Sequence, residues 1–151
     1  MIIPEKSTQE LKQSLFDAVG GLESLERVHK IFYDKVYAHP WLGLFFQGHN
    51  QTFIENRQTR FMAQKMGGPK LYRGREIQLA HRHMYITKEL FDLRQELLRQ
   101  SLQGAGIAKP LVMRWLAIDA AFYRKICKNS IEEFYQTSWK YDKRRIHPRP
   151  D

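Results

Sequence analysis

Apolar residues recur every three or four positions almost throughout this chain, and no stretch alternates as a half-buried strand does. Ser7 and Glu10 form a capping box ahead of Leu11, Leu15 and Phe16, and Gly20-Gly21 closes that first helix. A second helix presents Leu22, Leu25, His29, Phe32, Tyr33 and Val36 along one side and stops before Pro40. Asn50 or Thr52 caps a third, whose face is Ile54, Gln58, Phe61, Met62 and Lys65. Gly67-Gly68-Pro69 ends it and opens a loop through Gly74. A short helix over Glu76 to Met84 follows, and Thr87 caps a long one reaching Gln103. Gly104-Ala105-Gly106 breaks the chain again. Pro110 then starts a helix striped by Leu111, Trp115, Ile118, Phe122 and Ile126. Ser130 with Glu133 caps a last short helix carrying Ile131, Phe134, Tyr135 and Ser138, and the tail from Lys140 has little to bury and is expected to fray. The pattern is all-α, without repeats, linker or second core.

Composition narrows the setting. At 151 residues one hydrophobic core is the default, and 42% hydrophobic with 27% charged content is that of a globule. Twenty-five Lys and Arg against 16 Asp and Glu give a formal net charge of +9, which favours acidic partners without choosing among nucleic acid, anionic lipid and a cofactor bearing carboxylates. The lone Cys127 excludes an intramolecular disulfide and suits a reducing cytoplasm. No secretory signal is expected in the N-terminal residues, which hold only three apolar side chains before Pro4. The longest uncharged stretch, Val36 to Ile54, contains His39, Pro40, Gln47 and Asn50, which a bilayer core would not accept, so no membrane association is expected.

The informative positions are polar side chains on otherwise apolar helical faces, because a buried polar group without a partner costs about 1–3 kcal/mol. Ile77, Ala80, His81 and Met84 stand at i, i+3, i+4 and i+7, so His81 points with the apolar face. That spacing fits a core histidine bonded to a carbonyl, which is the commoner case, or an axial ligand to a metal or heme iron. His83 points about 200° away and cannot share a metal with it. Gln58 and Tyr33 are either satisfied locally or aim donors into one cavity. Arg94, between Leu90-Phe91 and Leu97-Leu98, packs its stem and is expected to send its head to solvent. There is no glycine-rich phosphate loop and no zinc spacing; Cys127, Asp34 and Asp119 carry no signature, and the basic tail is weak evidence for nucleic acid.

An ordered set of fragments carries a resemblance. Leu15-Phe16-Asp17-Ala18-Val19-Gly20-Gly21 is followed by Phe32-Tyr33-Asp34-Lys35-Val36, His39-Pro40, Leu44-Phe45-Phe46-Gln47-Gly48, Met66-Gly67-Gly68-Pro69, Tyr72, Gly74, Ala80-His81 and Ile86-Thr87. Over about Leu15 to Lys128 the chain resembles the truncated hemoglobins, most closely group I. The resemblance implies a two-over-two helical sandwich around one heme b over residues 1–128, with residues 129–151 as an added helix and basic tail. It makes His81 the proximal iron ligand, Phe46 the phenylalanine on the porphyrin face, and Tyr33 and Gln58 the distal groups that hydrogen-bond the gas. Ile54 takes the position at the mouth of the distal pocket, where this group commonly lacks a histidine. Arg57 falls where a basic residue pairs with a propionate. Phe61 and Met62 would line the interior beside a ligand tunnel, and Tyr72, Met84 and Phe91 complete the expected heme contacts. With no distal histidine beyond His49, five-coordinate ferrous heme is expected.

The activities implied are binding of O2, CO and NO, with nitric oxide dioxygenation or peroxidase-like chemistry as possible enzymatic extensions that need a separate reductase. Arg94 departs from the family, which places an apolar or tryptophan side chain there; a propionate and the distal pocket are its alternatives to solvent. The competing reading is a heme-free basic helical module that binds an acidic partner or nucleic acid.

Overall fold

A computed structural model describes residues 13–151, so the Ser7–Glu10 capping box lies outside the described part. Helix α1 (Leu15–Ala18) is capped by the Ser14 hydroxyl, which accepts from the Asp17 N–H at 3.1 Å. The chain reverses at once through Gly20 and Gly21, both in the left-handed region at φ 109° and 73°, where a side chain would be strained. Helix α2 (Gly21–Ala38) then buries Leu25, Val28, Phe32 and Val36 along one stripe. A 3-10 turn over Leu42–Phe46 folds back against it. At Gly43 an added Cβ would sit 2.7 Å from the Tyr37 carbonyl oxygen, so only glycine permits this approach.

Helix α3 (Gln51–Lys65) starts at Asn50, not Thr52, with Asn50 Oδ1 accepting from the Phe53 N–H at 2.9 Å. The short α4 (Ile77–His81) is capped by Glu76 and the long α5 (Lys88–Gly104) by Thr87. Helix α6 (Lys109–Ala120) begins with Pro110 in its first turn. It is not the continuous rod the stripe predicts. Tight bonds from the Ala121 N–H to the Ile118 carbonyl and from the Phe122 N–H to the Asp119 carbonyl break it, and a separate turn, α7 (Tyr123–Ile126), follows. Its buried face is Val112, Trp115 and Asp119 rather than Leu111 and Ile118. The capping box at Ser130 starts α8 (Ile131–Thr137), with Phe134 fully buried.

Helix α2 packs on α3 and on α5, and α5 packs on α6, so the α2–α3 pair stacks on the α5–α6 pair. Their shared core holds Phe32, Met62, Leu90, Leu98, Leu102 and Trp115, each side chain worth about 1.5–3 kcal/mol on burial. Within it, His29 Nδ1 and the Thr59 hydroxyl are 2.7 Å apart, while His29 Nε2 has no partner and the ring lies edge-on to Trp115. Among the described residues no helix is long and apolar enough to cross a membrane.

The tail does not fray. The Arg145 N–H donates to the His83 carbonyl at 2.8 Å, and the Tyr85 N–H donates to the Arg145 carbonyl at 3.0 Å. Arg145 Nη1 donates to the carbonyls of Phe45 and Gln47, both at 3.2 Å. Trp41 Nε1 donates to the His147 carbonyl at 2.7 Å, and Arg82 pairs with both oxygens of Asp142 at 3.0 Å. Backbone pairing and guanidinium donors supply what the tail lacks in apolar area, and the strap joins the 3-10 turn to the segment after α4.

Hydrogen bonds to a charged donor are worth about 1.5–3 kcal/mol, so Arg145→Ala should lower the thermal midpoint by roughly 3–10 °C; an unchanged calorimetric midpoint would show the strap carries no load. Burial pushes His29 down to about 3, so the native imidazole stays neutral where the unfolded one protonates below about 6.5. Stability therefore falls as pH drops through that window, by up to about 1.4 kcal/mol per pH unit, and His29→Gln should flatten the fall in urea melts between pH 7 and 5.

Candidate functional site

Helices α2, α3, α4 and α5 enclose a cavity of about 480 Å³, within the range of small-molecule and cofactor pockets. Tyr33 reaches it from α2 and Phe46 from the 3-10 turn; their rings meet edge-on at 5.9 Å, and the Tyr33 ring is buried. Burial raises the Tyr33 hydroxyl to about 12, so it is a protonated donor at any working pH.

Helix α3 contributes Ile54, Arg57, Gln58 and Phe61. At about 100° per residue these four fall within one arc of the helix. Met62, eight residues past Ile54, lies about 80° from it, turned away from Arg57 and Phe61 and toward the side where Thr59 meets His29. Met62 is therefore packed into the core beneath the cavity and does not line it, against the expectation from sequence. Tyr72, His81, Met84 and Phe91 line the cavity as expected, with Tyr72 edge-on to Phe61 at 5.1 Å.

His81 is the only cavity imidazole whose state is fixed by its own helix. The Ile77 carbonyl lies 2.8 Å from Nδ1, and a carbonyl only accepts, so Nδ1 carries the proton. Nε2 is left with a lone pair. Burial pushes the group down to about 4, against the smaller opposite effect of that hydrogen bond. A neutral, oriented imidazole with a free Nε2 is the form a metal requires, and the bond at the other nitrogen is the usual support for such a ligand. The donor set thus fits a heme iron: the neutral His81 imidazole, which among the cavity histidines His49, His81 and His83 is the one bonded to its own helix, aromatic walls, and Arg57 and Arg75 on the lining to meet carboxylates.

The segment that carries His81 is pinned by Lys128. Its Nζ donates to the carbonyls of His81 and Met84 at 2.7 Å and of Ile126 at 3.0 Å, and burial lowers its affinity for protons to about 8. The Lys128 N–H also donates to the Ile86 carbonyl at 2.9 Å. Nothing in the sequence around Lys128 marks it, because its partners His81, Met84 and Ile86 lie more than 40 positions away.

Arg94 does not leave for solvent. Its Nη1 donates to Asp119 Oδ2 at 2.7 Å, Gln95 Nε2 donates to the same oxygen at 2.5 Å, and its Cζ lies 5.2 Å from the centre of the Phe32 ring. Both Arg94 and Asp119 line the cavity. Asp119, which carries no signature in the sequence, is 4% exposed. The buried carboxylate on α6 is what turns the arginine inward, because neither charge is tolerated in the interior alone. Only once the structure puts Asp119 on the buried i, i+3, i+7 face of Val112 and Trp115 does its charge call for a partner, because the stripe read through Leu111 and Ile118 leaves it off that face.

Comparison with known proteins identifies the family and the fold. A family model described as bacterial-like globin matches residues 14–124. The group 1 truncated hemoglobin GlbN of Mycolicibacterium paratuberculosis is 35% identical over 99 residues, 66% of this chain and 73% of that protein. The group 1 truncated hemoglobin of Tetrahymena pyriformis is 27% identical over 100 residues, 66% of this chain and 83% of that protein. The crystal structure of the Tetrahymena pyriformis protein in its Fe(III) form superposes with a TM-score of 0.73 at 23% identity, covering 78% of this chain and all of that one. With its stacked helix pairs and its histidine-bearing cavity, the chain belongs to the bacterial-like globins and, among them, to the truncated hemoglobins.

Proposed function

We propose that the chain holds one heme b in the cavity through His81 and binds O2, CO and NO reversibly, with Tyr33 and Gln58 as donors to the gas. Heme-based gas binding is the activity of the family to which the chain belongs. The observation that carries the assignment to these residues is the His81 imidazole, neutral and bonded to the Ile77 carbonyl, in the same cavity as a protonated phenol and a carboxamide. The heme supplies an iron centre that takes a diatomic gas. Everything else is done by side chains: Nε2 of His81 offers the lone pair, Phe46 and Phe61 exclude water, and Arg57 and Arg75 are placed to pair with propionates.

O2 held in this cavity would draw electron density and reward donors, whereas CO would be less polarised. The buried Tyr33 hydroxyl and the Gln58 carboxamide therefore favour retention of O2, which suits detoxification or sensing as well as it suits transport. In the detoxification reading, joining NO to O2 as nitrate consumes one electron per turnover, so a separate reductase is the required partner. The half-buried Cys127 thiol, pushed up to about 12, is no thiolate and takes no part. That lone thiol is consistent with a reducing cytoplasm.

Replacing His81 with glycine should abolish the CO-sensitive ferrous Soret spectrum, and added imidazole should restore it; a variant with the parent spectrum would remove His81 as the ligand. Tyr33→Phe and Gln58→Leu should each speed O2 dissociation about tenfold to a hundredfold while moving CO dissociation much less. Equal small changes for both gases in stopped-flow traces would take those two residues out of the distal role.

A further inference from the structure

We propose that Arg94, held by Asp119, is a third polar group of the ligand pocket and fits it to small monovalent anions as well as to neutral gases. The inference rests on the heme reading and deepens it. Three features support it.

The guanidinium is fixed. Asp119 Oδ2 takes Nη1 at 2.7 Å, and the Phe32 ring lies 5.2 Å from Cζ, so the plane is held from one edge and one face. The carboxylate is itself buried and also receives Gln95. It balances the arginine's charge and makes its burial tolerable. A guanidinium carries five N–H donors, and Asp119 engages one of them.

The group also lines the cavity together with Tyr33, Gln58 and His81. Its positive charge is felt across that space: it lowers the proton affinity of His29, Tyr33 and His81 alike. Donors left over on an always-charged, oriented guanidinium are suited to an acceptor with negative charge, and charge-assisted bonds are roughly twice as strong as neutral ones.

A stitch between α5 and α6 alone would need only the pair itself, on any buried face. Here the pair stands on the lining of the cavity that Tyr33 and Gln58 also line. An anion such as nitrite or azide would meet the free N–H edge of Arg94 as well as the Tyr33 hydroxyl. CO, with no charge to offer, would gain little from it.

The test uses ferric holoprotein titrated with azide and with nitrite, followed by the Soret shift, with CO dissociation measured on the ferrous form. Arg94→Leu should weaken both anions by about tenfold to a hundredfold and alter CO dissociation several-fold less. Arg94→Lys should keep part of the anion affinity, since it preserves the charge but not the fork. Asp119→Asn removes the carboxylate that turns Arg94 inward and should also weaken both anions by about tenfold. Anion affinities within threefold of the parent across these variants would reduce the pair to a structural stitch and overturn the proposal. If Arg94→Leu fails to fold, Asp119→Asn decides, because unchanged anion affinity there is an equally direct refutation. A parent protein without any heme Soret band would overturn the heme reading and this one together, whereas a normal band with indifferent variants overturns this one alone.

Discussion

The ammonium of Lys128 is the constraint on which the site depends. Helix α4 has five residues, too few to stand as an isolated helix, and it ends with carbonyls that no later turn of its own can satisfy. One cation supplies donors to the carbonyls of His81, Met84 and Ile126 at once. Its backbone N–H takes a fourth carbonyl, that of Ile86. The backbone that carries His81 is thus pinned by a residue from beyond α7, while the ring itself is aimed by the Ile77 carbonyl, and charge at a helix C-terminus adds to the hydrogen bonds. Burial lowers the proton affinity of Lys128 to about 8, still on the charged side of neutral, so the clamp holds at physiological pH.

Placing three ionisable or strongly polar networks inside a small core carries a cost that each network offsets locally. His29 stays neutral and bonds Thr59. Arg94 stays charged because Asp119 is within 2.7 Å. His81 stays neutral and bonds its own helix. The two neutral imidazoles feel the arginine as a repulsive field, which reinforces their neutrality. Burial is the larger cause of that neutrality for His81, and the charge on Arg94 adds to it from a distance.

Much of this was legible in the sequence, and the limits have physical causes. The helices announce themselves through caps that act over three residues: Asn50, Thr87 and Ser130 each bond the N–H that their spacing predicts. His81, Tyr33 and Gln58 stand out as polar intrusions on apolar stripes, and their placement in one cavity follows once the stripes face each other. Met62 falls in the core because it sits at the margin of the α3 face. The inward turn of Arg94 is set by Asp119, 25 positions away on another helix, which no local pattern displays. The break after Ala120 and the docking of the tail were hidden for a similar reason. Both rest on backbone carbonyls and N–H groups, which every residue has and no pattern displays.

The strap from Arg145 to His147 gives the molecule a temporal order. Helices α2 to α6 precede it in the chain and leave the ribosome first, so the helix pairs and the cavity between them can form before the strap exists. Until Arg145 reaches the carbonyls of Phe45 and Gln47, the 3-10 turn and the segment after His81 are joined by nothing that spans them from this side. The two lining segments the strap joins are therefore tied to each other last, by residues made after the walls of the cavity.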